Sequence, residues 1–90
     1  MERIEEQAVV RKRHGLHARP ATVFVQLANK FNASVKVQRG GEIVDGKSIM
    51  AILSLGVNSG VELKLIAEGD DAQEAIDDLK SFLEDEDKND

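Results

Sequence analysis

The segment Val61-Glu62-Leu63-Lys64-Leu65-Ile66-Ala67 places Val61, Leu63, Leu65 and Ala67 on one parity. Successive side chains of a strand point to opposite faces, so this pattern predicts a strand with one buried face. Sheets of such strands are covered on one side and wet on the other. Gly69-Asp70-Asp71 ends the run, and Ala72, Ala75, Ile76, Leu79 and Leu83 then recur at helical spacing. That stripe predicts a helix laid on the buried face of the sheet. Asp71 with Glu74 resembles a capping box with aspartate in the serine or threonine position.

The rest of the chain repeats these two periods. Ile4 to Val10 reads as a strand with Ile4, Ala8 and Val10 on one parity and Glu6 interrupting them. Ala18 to about Phe31 reads as a helix with Phe24, Leu27, Ala28 and Phe31 on its buried face, and Asn32 as its exit. Ala33 to Arg39 alternates as a strand, Gly40-Gly41 supplies a two-residue hairpin turn, and Glu42 to Asp45 returns. Ser48 is placed to cap a short helix to about Leu55, with Gly56 as its stop. The order strand, helix, strand, strand, helix, strand, helix predicts an α+β open-faced two-layer sandwich. Its four-stranded antiparallel sheet carries three helices on one face. Pattern alone does not fix the strand order. No repeat or linker divides the chain, so residues 1–84 form one domain, and 85–90 read as an acidic, disordered tail.

With 90 residues the core is modest. The absence of cysteine removes a disulfide framework and a thiolate metal site, and two histidines alone give no structural zinc set. No metal and no cofactor are expected. No apolar run approaches the length of a membrane helix, and the charged start Met1-Glu2-Arg3-Ile4-Glu5-Glu6 lacks the core of a secretory signal. A soluble, cytoplasmic monomer without membrane insertion is the expectation. A net charge of −5 argues against general nucleic-acid binding. Arg11, Lys12, Arg13 and Arg19 nevertheless cluster around His17, a basic edge that suits an anionic donor or an acidic protein.

The chemistry concentrates in Arg13-His14-Gly15-Leu16-His17-Ala18-Arg19-Pro20-Ala21. Proline is tolerated in the first turn of a helix, so Pro20 sets His17 at or just before a helix start. An imidazole is thereby brought beside unpaired backbone N–H groups, the positive end of a helix dipole and the Arg19 guanidinium, a setting suited to a phosphate. Nearby positive charge favours the neutral, nucleophilic imidazole, which attacks a phosphoryl donor directly. Positioning and charge stabilisation dominate such a step. The plainer reading of His17 is a cap or a surface residue.

Gly15-Leu16-His17-Ala18-Arg19-Pro20-Ala21 resembles the active-site signature of the HPr family, the histidine phosphocarriers of the bacterial phosphoenolpyruvate:sugar phosphotransferase system. Asp45-Gly46-Lys47-Ser48-Ile49-Met50-Ala51-Ile52-Leu53-Ser54-Leu55-Gly56 resembles the family's regulatory-serine region. The two motifs occur in the family's order and separation, and the resemblance runs from about Ile4 to about Leu83. It implies the same open-faced sandwich. It implies that enzyme I of the system, charged from phosphoenolpyruvate, phosphorylates His17. The group then passes to a sugar-specific enzyme IIA, with Arg19 steadying the phosphate. The family uses Nδ1 of the histidine, a choice the sequence does not show. Such a chain is a covalent intermediate rather than an enzyme in its own right.

Ser48 has two readings, as a cap and, by resemblance, as the target of the ATP-dependent HPr kinase/phosphorylase. The serine-phosphorylated form then binds a carbon-catabolite transcription regulator. Ile49, Met50, Ile52, Leu53 and Leu55 are too many apolar residues for a short helix with one buried side, so some face solvent. Ile52 and Leu55 are assigned to the core. Ile49, Met50 and Leu53 divide evenly between core and surface, and by resemblance they form the patch that docks partners. Two features depart from the family pattern. His14 stands where a small polar residue is usual, and reads first as a surface residue, then as a second proton acceptor or a modulator of phosphate stability. The Arg11-Lys12-Arg13 run is unusually basic. A second class of function stays open, a regulatory HPr-like binding module acting in carbon or nitrogen control rather than sugar transport.

Overall fold

In the computed structural model, which describes residues 2–86, the chain forms β1 (Arg3–Val9), α1 (Ala18–Ala28), β2 (Ser34–Arg39), β3 (Glu42–Asp45), α2 (Ile49–Ser54), β4 (Glu62–Glu68) and α3 (Ala72–Glu84). The strands make one antiparallel sheet in the order β1-β4-β2-β3. The α+β open-faced sandwich expected from the periodicities is thus the observed architecture, with the strand order now fixed. The first helix is shorter than its apolar pattern, ending at Ala28. Residues 87–90 of the expected tail lie outside the described residues, while Asp85 and Glu86 follow α3 as exposed residues.

Register explains the burial. Ile4, Ala67 and Val35 align across three strands, as do Glu6, Leu65, Val37 and Val44 across all four. Leu65, Ala67, Val35 and Val37 are buried beneath the helices, together with Phe24 and Ala28 of α1, Ile52 of α2, and Ala72, Ala75, Ile76, Leu79 and Leu83 of α3. Leu27, Phe31 and Val61 are half-buried against this core rather than inside it. The opposite face carries rows such as Gln7-Lys64-Gln38. Glu6, which broke the alternation of the first strand, does face the helices. It sits on the edge strand and accepts a hydrogen bond from Lys80 of α3 at 3.1 Å. That bond, and the carboxylate charge behind it, hold the Lys80 ammonium above the ordinary lysine value.

The capping box expected at Asp71 is not formed. Asp71 makes no side-chain cap bond to α3. Its carboxylate instead accepts from the backbone N–H groups of Asn32 at 2.9 Å and Ala33 at 2.8 Å, closing the corner between α1 and β2. The backbone at Asp71 is not extended (φ −104°, ψ 27°), so its side chain turns away from the helix it precedes. These N–H groups, that of Asn32 first, hold the Asp71 carboxyl below its ordinary value.

Candidate functional site

The site is built where three distant segments meet. Val10 donates its N–H to Val61 O and Arg11 to Leu83 O, both at 2.9 Å, so the loop after β1 is held by the start of β4 and the end of α3. The Val9 N–H also reaches the Glu84 carboxylate at 3.2 Å. Lys12 is buried, 6% exposed, with its ammonium 4.1 Å from the Phe82 ring centroid. A buried ammonium over an aromatic face gains a cation–π attraction while its stem covers apolar surface. Sequence reading counted Lys12 with the exposed basic edge; Arg11 and Arg13 are exposed, and Lys12 is not.

The turn then tightens. Gly15 donates to Lys12 O and Leu16 to Val57 O, each at 2.9 Å. Gly15 has φ +71°, and a Cβ there would collide with the Val57 carbonyl oxygen and come within 2.7 Å of Asn58 Cα. Only glycine fits this seam, which carries the chain directly into His17.

His17 is the N-cap residue of α1, with extended backbone (φ −75°, ψ −175°), and its carbonyl accepts the first helical bond from Ala21 at 2.9 Å. Its side chain makes no capping bond. The ring is half-buried, and its Nε2 is buried. Ala18 and Arg19 bring backbone N–H groups to the first turn, whereas the buried Pro20 brings none. The Arg19 side chain is exposed on that turn. His14 is exposed and meets His17 edge to face, the ring centroids 5.8 Å apart and the planes at 67°.

Ser48 begins the second helix differently. Its Oγ accepts from the Ala51 N–H at 3.2 Å, so this hydroxyl does cap α2. The preceding turn is anchored too. Gly46 donates to Val35 O at 2.8 Å, and the Lys47 ammonium donates to Phe31 O at 2.8 Å, just beyond the end of α1. At the other end of α2, the Arg39 guanidinium donates to Leu55 O at 2.7 Å and Gly56 O at 2.8 Å. Ile52 is fully buried and Leu55 nearly so, as assigned from sequence. Met50 is 75% exposed, Leu53 37%, and Ile49 is half-buried. Among the described residues, no group of three or more histidine, cysteine or acidic side chains is placed to hold a metal ion. None of the described helices is long and apolar enough to cross a membrane.

Residues 4–85 match the family model described as "PTS HPr component phosphorylation site". The chain is 43% identical over 83 residues to the HPr-like protein Crh of Bacillus subtilis, covering 92% of this chain and 98% of that one. It is 44% identical over 82 residues to the phosphocarrier protein HPr of Haloferax volcanii, covering 89% and 92%. The crystal structure of HPr from Bacillus anthracis superposes with a TM-score of 0.89 at 37% identity, covering 92% of this chain and 99% of that one. Crh of Bacillus subtilis, in a crystal structure described as a swapped dimer, gives 0.73 at 44% identity, covering 89% and 92%. The matched family is one of phosphocarriers rather than catalysts of their own reaction. Its fold, strand for strand and helix for helix, is the one described above, and the chain belongs to the HPr family of the phosphotransferase system.

Proposed function

We propose that this chain relays a phosphoryl group through His17. Enzyme I, charged from phosphoenolpyruvate, is the donor, and a histidine of a sugar-specific enzyme IIA is the acceptor. The observation that carries this reading is the delivery of a half-buried imidazole at the start of α1 whose ring takes no part in capping. Burial of Nε2 supports Nδ1 as the attacking atom. In the first step a neutral ring nitrogen bonds to phosphorus as the donor's bond to phosphorus breaks. In the second, the His17 nitrogen–phosphorus bond breaks, its electron pair returns to the ring, and the acceptor nitrogen takes the group. The first-turn N–H groups and the Arg19 guanidinium stabilise the charge on the phosphoryl oxygens. The protein works in the cytoplasm as a monomer, and Met50 and Leu53, with Ile49 beside them, form the docking patch. Ser48 is the regulatory site, for a kinase of the HPr kinase/phosphorylase type, and its phosphorylated form is the one a carbon-catabolite transcription regulator reads.

The test is incubation with phosphoenolpyruvate and enzyme I, followed by intact-mass analysis and peptide mapping. One acid-labile, base-stable phosphate is expected, lost completely in His17→Ala. Label retained in that variant overturns the relay. The similarity to Crh favours a second reading, a regulatory HPr-like module. Phosphorylation of Ser48 by the kinase with no transfer through His17 is the outcome that selects it.

A further inference from the structure

We propose that His14 is a second holder of the phosphoryl group: its imidazole donates an N–H to the phosphoryl oxygens on His17 and lengthens the life of that intermediate. The inference rests on the assignment of His17 as the phosphoryl acceptor.

Three observations carry it. His14 is in ring contact with His17, edge to face at 5.8 Å between centroids. A phosphoryl group extends its oxygens beyond the ring nitrogen that bears it, which brings them within reach of a neighbouring side chain at this separation. His14 is exposed, so its ring turns toward an oxygen without leaving a packed site. Its backbone does not share that freedom. The Gly15-to-Lys12 hydrogen bond and the Gly15 seam against Val57 fix the turn on which His14 sits. The result is a mobile donor on a rigid mount. Charge-assisted donors to phosphate are stronger than neutral ones, so the imidazolium holds the group more firmly than the neutral ring does.

The effect is read across pH, from about 5 to 9, because positive charge on an imidazole strengthens its hydrogen bond to phosphate. Other charged groups share this end of the molecule. Arg11, Lys12 and Arg13 lie on the loop, Arg19 on α1, and Glu84, Asp85 and Glu86 at the end of α3; residues 57–61 carry none. Arginine and lysine keep their charge across that range, as do carboxylates with ordinary values. The phosphorylated His17 ring and the phosphoryl group give every variant an acid-labile background, so the part played by His14 is the difference between the curves of wild type and variant.

The experiment compares wild type, His14→Asn and His14→Phe. Each is phosphorylated in two ways, by phosphoenolpyruvate with enzyme I and chemically with phosphoramidate. Peptide mapping locates the phosphate, and 31P spectra give the half-life and the resonance position from about pH 5 to 9. The expected half-life of His14→Phe at the acid end is about five-fold shorter or more. His14→Asn, which keeps a side-chain N–H but carries no charge, holds most of the lifetime. Identical half-lives and resonance curves in all three proteins overturn the proposal, as does a phosphate mapped to His14 itself. Should His14→Phe not fold, His14→Ala takes its place, with the same shortened half-life expected and an unchanged one overturning the proposal. Failure of the relay would look different: enzyme I would not label His17, while phosphoramidate still would.

Discussion

Two helices of this molecule begin at a residue with chemistry to perform, and they treat it in opposite ways. At α2 the Ser48 hydroxyl accepts from the Ala51 N–H, so the proposed modification site is also the cap. At α1 the His17 side chain makes no cap, and the first turn's N–H groups face the same end as the imidazole. Each residue follows a glycine pressed onto another part of the chain, Gly15 onto Val57 and Gly46 onto Val35. Under the proposed roles of His17 and Ser48, the difference teaches how a relay and a switch are separated. A group that must accept and release a phosphate many times is mounted rigidly at a helix start that it does not cap. A group that changes once per signal sits inside that bonding, so its modification alters a helix end.

Gly15→Ala is the largest expected break in this comparison. The new Cβ meets the Val57 carbonyl at a positive φ, which costs about 1–3 kcal/mol in strain alone. A displaced imidazole lowers transfer by about 100-fold. Gly46→Ala, whose Cβ would lie 2.6 Å from Val35 Cγ1, lowers the melting temperature but leaves the transfer rate within a few-fold of wild type. Phosphotransfer kinetics with thermal melts check both, and equal rates for the two variants erase the distinction.

Arg19→Ala comes next. Transfer is slowed about ten-fold or more, the melt is unchanged, and Arg19→Lys recovers only part because an ammonium lacks the planar two-point geometry. Unchanged kinetics in the alanine variant leave the first-turn N–H groups as the whole phosphate site.

The two sides of Ser48 separate in a third test. Ser48→Ala removes the cap bond and costs about 1 kcal/mol, read as a melting temperature about 4–8 °C lower. Ser48→Asp keeps an acceptor at the helix start and stays near wild-type stability. It raises the concentration of protein needed for half-maximal phosphorylation by enzyme I, because negative charge then borders Met50 and Leu53. If Ser48→Asp melts lower than Ser48→Ala, or transfers normally at every concentration, the cap and the switch are not the same group.

The smallest expected effect lies away from both helix starts. Asp71 holds its carboxyl below the ordinary 3.8 by accepting from Asn32 and Ala33. A depressed folded value means that this contribution is complete above pH ~4 and is lost as pH falls through the folded value. Asp71→Asn therefore lowers the melting temperature slightly at neutrality, where the carboxylate's contribution is complete, and flattens the acid side of the curve below about pH 4. A curve parallel to wild type removes Asp71 from the acid response.

Much of this was legible in the sequence because it is local. The alternation of Leu63, Leu65 and Ala67, the Gly40-Gly41 turn and the Ser48 cap each depend on residues a few positions apart. Counting apolar residues against one helical side required that part of α2 face solvent and assigned Ile52 to the core, while the exposure of Met50 was expected only from the family resemblance. What was not legible depends on partners far along the chain. Asp71 reads as a cap until the N–H groups of Asn32 and Ala33 are brought to it. Lys12 reads as surface charge until α3 lays Phe82 beneath its ammonium. Glu6 reads as a fault in a strand until Lys80 arrives from the same helix.

The anchoring of the His17 loop to Val57, Val61 and Leu83 also sets an order of events in folding. Those hydrogen bonds close loops of some forty to seventy residues, so they are among the slowest contacts to form, and the one to Leu83 cannot precede synthesis of the last helix. A nascent chain exposes His17 early but has no mounted imidazole until residues near 83 leave the ribosome and dock. The proposed phosphoryl acceptor is therefore one of the last parts of the molecule to be fully mounted.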